Sequence, residues 1–83
     1  MFEIIEDTLK ITLPEGKTQD EIIEIAVLEF PKIEENLYGK HLQLNGRITT
    51  SLALFLGHKL AHIVKSVSIF DPKENAYVKS VWH

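Results

Sequence analysis

The chain has 83 residues, 45% of them hydrophobic, with no cysteine and a formal net charge of −3. This length predicts one domain over residues 1–83 with a modest core, which oligomerisation would enlarge, and the lack of cysteine excludes disulfides, thiolate zinc sites and cysteine nucleophiles. The acidic balance argues against a protein that coats nucleic-acid backbones such as duplex DNA.

The first elements predicted along the chain are two strands that form a hairpin. A strand over residues 2–5 is followed by a turn at Glu6-Asp7-Thr8. Leu9, Ile11 and Leu13 then alternate with polar residues, which is typical of a half-buried strand.

A helix follows the hairpin after the break at residues 14–17. Thr18 and Glu21 have the spacing of a capping box, which marks a helix start. Pro31 marks the approximate end of this helix. The apolar face of the helix is predicted to consist of Ile22, Ile23, Ala26 and Phe30.

The second half of the chain predicts a strand, a helix and two more strands after a polar connection at residues 32–38. The predicted strands are residues 41–44, the segment around Val67 and Ile69, and residues 76–82, with a helix after Thr49 and a turn at residues 71–75. The order ββαβαββ predicts an α+β (α/β-like) domain with two helices packed on one sheet. We expect the opposite sheet face to support a dimer. No segment has the pattern of a signal peptide or a membrane span, so a cytoplasmic protein without a membrane partner is expected.

Two histidines on the second predicted helix are candidate ligands. At about 100° per residue, His58 and His62 fall on a different face from the leucine stripe. Side chains four residues apart on a helix are neighbours, so this pair can share a metal ion or an anion, with Asp71 as a third metal ligand. The alternative is that both histidines are simply solvated.

The segment before that helix is a candidate phosphate-binding loop. Asn45, Gly46 and Arg47 join a strand to the helix start, where Thr49 and Thr50 add hydroxyl groups to free backbone amides. Arg47 adds a bidentate donor for phosphate. The alternative is a plain Asn-Gly turn with Thr49 or Thr50 as the helix cap. The segment matches neither a Walker motif nor a GxGxxG fingerprint.

Residues 45–83 combine four short motifs that together resemble a known family. The motifs are Gly46-Arg47, Leu60-Ala61-His62, Phe70-Asp71-Pro72 and the final His83. In this combination and order, they resemble the small CRISPR-associated ring nucleases of the Csx-three type. The predicted ββαβαββ order is consistent with that family over the rest of the chain.

The resemblance implies a manganese-dependent phosphodiesterase that opens cyclic tetra-adenylate, the second messenger of type III CRISPR complexes, to di-adenylate. It also implies homodimers that sandwich the ligand as a dimer of dimers, with His62 from one dimer meeting Asp71 and Lys73 from the other. Lys73 stands where the family usually carries arginine. The remaining residues of the ligand site would be Asn45, Gly46, Arg47, Thr49, Thr50, His58 and His83.

The chemical role of His62 stays open at this point, as a general acid or as a metal ligand. Attack by the adjacent ribose 2′-hydroxyl would make the metal optional. Three alternative functions also stand: a manganese-dependent 3′ exoribonuclease on linear RNA, a cyclic oligoadenylate-binding module without activity, and a purely structural dimer.

Overall fold

The computed structural model describes residues 1–82 and confirms the predicted ββαβαββ order in an α+β domain. His83, a predicted ligand contact, lies outside the described residues. The elements are β1 (Phe2–Ile5), β2 (Thr8–Ile11), α1 (Gln19–Ile33), a 3₁₀ helix (Glu34–Leu37), β3 (His41–Gly46), α2 (Thr50–Ala61), β4 (Ser66–Asp71) and β5 (Ala76–Trp82).

The five strands form one mixed sheet in the order β1-β2-β3-β4-β5. The central pairs β2–β3 and β3–β4 are parallel, whereas the outer pairs β1–β2 and β4–β5 are antiparallel. One helix joins each parallel pair, and both crossovers step towards β5, so right-handed connections place α1 and α2 on the same face of the sheet. Within residues 1–82 no element covers the other face, which is termed the open face.

The core lies between the sheet and the two helices. Successive side chains of a strand point to opposite faces, so alternate residues of β2 and β3 enter this layer. Among them, Leu9, Ile11, Leu42 and Leu44 are at most 4% exposed. The other buried hydrophobic residues are Ile22, Ala26, Phe30, Leu37, Leu52, Leu56, Leu60, Val64 and Val67.

Helix α1 begins as predicted and ends two residues beyond Pro31. The Thr18 hydroxyl accepts a hydrogen bond from the Glu21 amide (3.2 Å), and the Glu21 carboxylate accepts one from the Thr18 amide (2.9 Å), which confirms the capping box. Pro31 marks the approximate end of the helix as predicted, and α1 continues for two more residues to Ile33. Proline removes only one amide donor, and the adjacent Phe30 is buried and holds this last turn against the core.

Strand β2 differs from the predicted strand at both ends. It begins at Thr8 and not after the predicted turn Glu6-Asp7-Thr8, because Thr8 pairs with Ile5 and with Gln43. It ends at Ile11 rather than at Leu13, since the partner strand β3 ends opposite Ile11. Leu13 instead packs against the core from the following loop.

Helix α2 follows its cap residue Thr49 and ends at Ala61. It therefore starts at the end of the sheet where β3 stops, and His58 in its last turn and the cap residue His62 lie at its other end. None of the helices in residues 1–82 combines the length and the apolar character needed to cross a membrane.

Strand β5 forms one edge of the sheet and contains an irregularity. Val67 pairs with Val81, but Ser68 pairs with Lys79, so Ser80 is an extra residue on β5. The Ser80 hydroxyl donates to the Val78 carbonyl of its own strand (3.1 Å). The ladder between β4 and β5 is therefore interrupted near its middle.

Candidate functional site

Most of the predicted ligand contacts lie at one edge of the sheet. Strands β2, β3 and β4 are parallel, so their carboxyl ends and the loops that follow them share this edge, termed the carboxyl edge. Helices α1 and α2 both begin here. The predicted site residues at the carboxyl edge are Asn45, Gly46, Arg47, Thr49, Thr50, Asp71 and Lys73.

Gly46 has a structural role that is independent of any ligand. Its φ angle is +117°, and a Cβ atom at this position would lie 2.1 Å from the Ile11 carbonyl oxygen. Only glycine, which has no Cβ atom, tolerates both this positive φ angle and the close approach of the Ile11 oxygen. The backbones of β2 and β3 therefore come very close together just before Arg47 leaves the sheet.

Arg47 lines a cleft between the loop after β2 and the loop after β3. The cleft has a volume of about 570 Å³, and its polar side chains are Thr12, Glu15, Lys17, Gln19 and Arg47. Lys17 and Arg47 place two cations on this cleft against the single carboxylate of Glu15, and this excess of positive charge suits an anionic group. Sequence reasoning identified only Arg47. Loops that follow neighbouring parallel strands lie side by side, so the other polar residues of the cleft follow from the pairing of β2 with β3. The sequence pattern does not predict that pairing.

The hydroxyl groups at the start of α2 have different surroundings. Thr49 accepts a hydrogen bond from the Leu52 amide (3.3 Å), so the interpretation of Thr49 as the helix cap is confirmed. The Ser51 hydroxyl donates to the Gln19 side-chain oxygen (2.8 Å) and joins the first turns of the two helices. Thr50 is exposed and accessible to a ligand.

Asp71 and Lys73 lie together where β4 turns into β5. The Asp71 carboxylate accepts a hydrogen bond from the Lys73 backbone amide (2.9 Å). Asn75 has a φ of +54°, a left-handed conformation that asparagine adopts more readily than most residues. Asp71 is half-buried and Lys73 is exposed, so the carboxylate fixes the turn that presents the Lys73 side chain.

Asn45 belongs to the open face and contacts residues that sequence reasoning missed. Its side-chain amide donates to the Tyr77 hydroxyl (3.1 Å). The Tyr77 ring packs edge-on against Phe70, with the ring centroids 5.4 Å apart. An amide and two aromatic rings thus lie together next to the carboxyl edge.

His58 and His62 lie near the end of α2 that is remote from the carboxyl edge. Their ring centroids are 5.6 Å apart and their planes meet at 81°. Both side chains are exposed, and His62 is the residue that caps the end of α2. The four-residue spacing brings the two imidazoles together as predicted.

The histidines and the Asp71–Lys73 turn occupy opposite ends of the molecule. Helix α2 has 12 residues and spans about 18 Å at a rise of 1.5 Å per residue. His62 follows the last turn of this helix, whereas Asp71 ends the strand that runs back to the carboxyl edge. One copy of the chain therefore does not bring His62 to Asp71 or Lys73.

The predicted metal ligands are divided in the same way. His58 and His62 supply two neighbouring imidazoles, but Asp71 lies at the other end of the sheet. Among residues 1–82 no three histidine, aspartate or glutamate side chains are grouped closely enough to hold one metal ion. The side chains of a single copy do not fit the manganese site that the resemblance implies.

The chain matches no protein-family model, and no curated protein and no solved structure is significantly similar to it. Its function is therefore inferred from the carboxyl edge, the open face and the histidine pair.

Proposed function

We propose that this chain is a phosphodiesterase that opens cyclic tetra-adenylate and so ends the signal of type III CRISPR complexes. The observation that carries the proposal is the division of the predicted catalytic residues, with His62 at one end of the molecule and Asp71 and Lys73 at the other. Stacking copies end to end joins these two groups around one ligand. The active site is then complete only between copies, as the resemblance implies.

The carboxyl edge has the chemistry to hold a phosphodiester. Lys17, Arg47 and Lys73 supply cations in three loops of this edge. Arg47 can donate two parallel hydrogen bonds to one phosphate, whereas the lysines act as point charges. A cyclic oligonucleotide carries one phosphate per nucleotide, so cations in separate loops can bind successive phosphates.

The open face next to this edge has the chemistry to hold an adenine base. Phe70 and Tyr77 offer aromatic surface for stacking. The side-chain amide of Asn45 matches the donor and acceptor pattern of an adenine edge. These residues support a nucleotide ligand over a simple phosphate.

The proposed reaction breaks a phosphorus–oxygen bond to a ribose 5′ oxygen. The adjacent 2′-hydroxyl or a water molecule attacks phosphorus and gives up its proton to solvent, while His62 of one copy donates a proton to the 5′ oxygen that leaves. Lys73 of another copy stabilises charge on the nonbridging oxygens. Asp71 positions Lys73 through the hydrogen bond to its backbone amide. A 2′,3′-cyclic phosphate on the product would identify the hydroxyl route, and a simple terminal phosphate would identify water.

Binding of the cyclic ligand without cleavage is the second candidate function. It is favoured by the Arg47 cleft and the Lys73 turn, because a single copy carries both of these cationic groups and binding needs no His62 beside them. Such a chain would sequester or sense the messenger.

Incubation with cyclic tetra-adenylate, with and without Mn²⁺, tests both functions when substrate and products are resolved by chromatography and mass spectrometry. We expect conversion to di-adenylate by the wild-type chain and none by His62→Ala. Tight binding of intact ligand would replace this proposal with the binding function. Shortening of linear oligoadenylate from its 3′ end at a higher rate than the opening of cyclic tetra-adenylate would instead identify an exoribonuclease. A chain that neither binds nor cleaves any oligoadenylate would contradict all three functions.

A further inference from the structure

The outer surface of the two helices carries an apolar patch that the proposed function does not use. The patch consists of Ile23, Val27 and Leu28 of α1 and Leu54 and Phe55 of α2. Leu54 is 77% exposed, Leu28 is 71% exposed and Val27 is 52% exposed. Two shallow grooves of about 440 and 360 Å³ share Ile23, so the patch is continuous across both helices.

The two helices that carry the patch differ in charge. Helix α1 has four carboxylates and one lysine, whereas α2 has one lysine, one histidine and no carboxylate. Glu24 lines the groove on α1, and His58 lines the groove on α2. The Lys59 ammonium lies 5.8 Å from the centroid of the Phe55 ring, beside the patch. One side of the patch is therefore acidic and the other side is basic.

The acidic and basic groups lie at similar heights along the helices. Both helices run away from the carboxyl edge, and the hydrogen bond between Ser51 and Gln19 sets their first turns level. At 1.5 Å per residue, Glu24 lies about 7.5 Å and Lys59 about 12 Å along the helices from this level. Two long side chains can span the remaining difference of about 4.5 Å.

We propose that the apolar patch binds a second copy of this chain, with α1 of each copy facing α2 of the other. A two-fold axis parallel to the helices produces this arrangement. It buries the patch of both copies and places Glu24 of each copy opposite His58 and Lys59 of the other. Charge complementarity selects this arrangement over one in which α1 faces α1, because carboxylates would then face carboxylates.

The open face of the sheet, the dimer surface predicted from the sequence, is less suited to pairing two copies. Its polar side chains already contact one another within the chain. Thr8 donates to Gln43 (3.3 Å), and a histidine nitrogen of His41 lies 2.8 Å from the Ser66 hydroxyl. Covering this face would bury these polar groups together with the exposed Ile5 and Trp82, whereas covering the helices buries mainly isoleucine, leucine and valine.

The inference does not depend on the proposed function, but the resulting dimer would serve it. An axis parallel to the helices leaves both histidine pairs on one side of the dimer. It leaves both carboxyl edges on the other side. Two such dimers can then stack with histidines against carboxyl edges.

Sedimentation velocity over a concentration series tests whether two copies dimerise through the apolar patch. We expect the wild-type chain to dimerise and each of Leu28→Glu and Leu54→Glu to weaken dimerisation by about tenfold or more, since a charge would be buried in the contact. Tyr38→Glu is the matched control, because Tyr38 is 61% exposed and lies outside the patch. Circular dichroism checks that each variant is folded. A wild-type chain that stays monomeric, or a dimer that Leu54→Glu leaves intact, would overturn the proposal.

Charge-reversal variants test whether α1 of one copy faces α2 of the other. Glu24→Lys and Lys59→Glu should each weaken dimerisation, and the double variant should regain most of the loss, because the opposite charges face each other again. If the double variant is as weak as the two single changes combined, the facing of α1 and α2 is wrong.

Discussion

The carbonyl oxygen of Ile11 lies against the α-carbon of Gly46 so closely that a methyl group on residue 46 would sit 2.1 Å from it. The two residues are partners in the parallel ladder between β2 and β3. This contact draws together the ends of the strands from which the loops of the carboxyl edge start. The cleft beside Arg47 therefore depends on a glycine that need not touch the ligand.

Replacing this glycine should destabilise the fold. Gly46→Ala forces either a backbone shift or a change of the φ of +117°, and we expect a loss of about 2 kcal/mol or more in the free energy of unfolding. Urea unfolding measures this loss. Gly57→Ala is the matched control: its new methyl group meets nothing within 4 Å in the middle of α2, so a gain of about 0.5–1 kcal/mol is expected. Similar effects of the two changes would contradict the close approach at residue 46.

Two inactive variants should restore activity when they are mixed. His62→Ala and Asp71→Ala each remove one half of every site, but a site between copies can combine the intact half of each. If copies mix at random, about a quarter of the sites in an equal mixture are complete, so about a quarter of wild-type turnover is expected. Turnover of cyclic tetra-adenylate is the measurement. The mixture must first be shown to form mixed assemblies, and failure to regain turnover under those conditions would contradict the shared site.

The residue at position 73 should set the strength of phosphate contact. Lys73→Arg introduces a planar fork that can bind two phosphate oxygens, and a several-fold rise in kcat/KM is expected. Lys73→Met removes the charge at an exposed position and should lower kcat/KM by about tenfold or more, or about 1.4 kcal/mol, with no change in the unfolding midpoint. Full activity of Lys73→Met would exclude this residue from the site.

The capping box should make stability depend on pH. The pKa of Glu21 is lowered, first by the hydrogen bond from the Thr18 backbone amide and then by the bond with the Thr18 side chain. A folded-state pKa below the unfolded value means that Glu21 stabilises the fold above its unfolded pKa, and that this contribution is lost as the pH falls through the folded pKa. In Glu21→Gln the contribution is absent.

Thermal unfolding between neutral pH and about pH 3 measures this contribution. The midpoint of Glu21→Gln should lie below that of the wild-type chain at neutral pH, and the two should converge as the pH falls. Thr18→Ser keeps the cap hydroxyl and is expected to keep the wild-type profile. A constant difference between Glu21→Gln and the wild type across the pH range would show that the charge of Glu21 plays no part.

Signals between residues close in sequence predict the strands and the two α-helices of this fold, but not the 3₁₀ helix Glu34–Leu37, which lies in the predicted connection. The box formed by Thr18 and Glu21 and the cap at Thr49 are made by groups three residues apart, so their spacing alone identifies them. Pro31 locates the end of α1 only to within two residues, because burial of Phe30 outweighs the lost hydrogen bond and burial is a tertiary property. Signals between residues close in sequence also do not predict the order of the strands in the sheet.

The candidate site was predictable in part for the same reason. His58 and His62 are one helical turn apart, and their proximity follows from helix geometry. The bond between Asn45 and Tyr77 joins residues on two different strands that are not neighbours in the sheet, so it follows only from the register of three strands. The cleft beside Arg47 similarly requires the pairing of β2 with β3.

The extra residue on β5 has a consequence for crowded solutions. A long, regular edge strand offers unpaired backbone groups on which the strands of other molecules can add, and such growth leads to aggregates. At Ser80 the backbone of β5 is out of step with its neighbour, and the Ser80 hydroxyl already occupies the Val78 carbonyl. A newly arriving strand would meet an irregular row of donors and acceptors, so extension of the sheet beyond β5 is disfavoured.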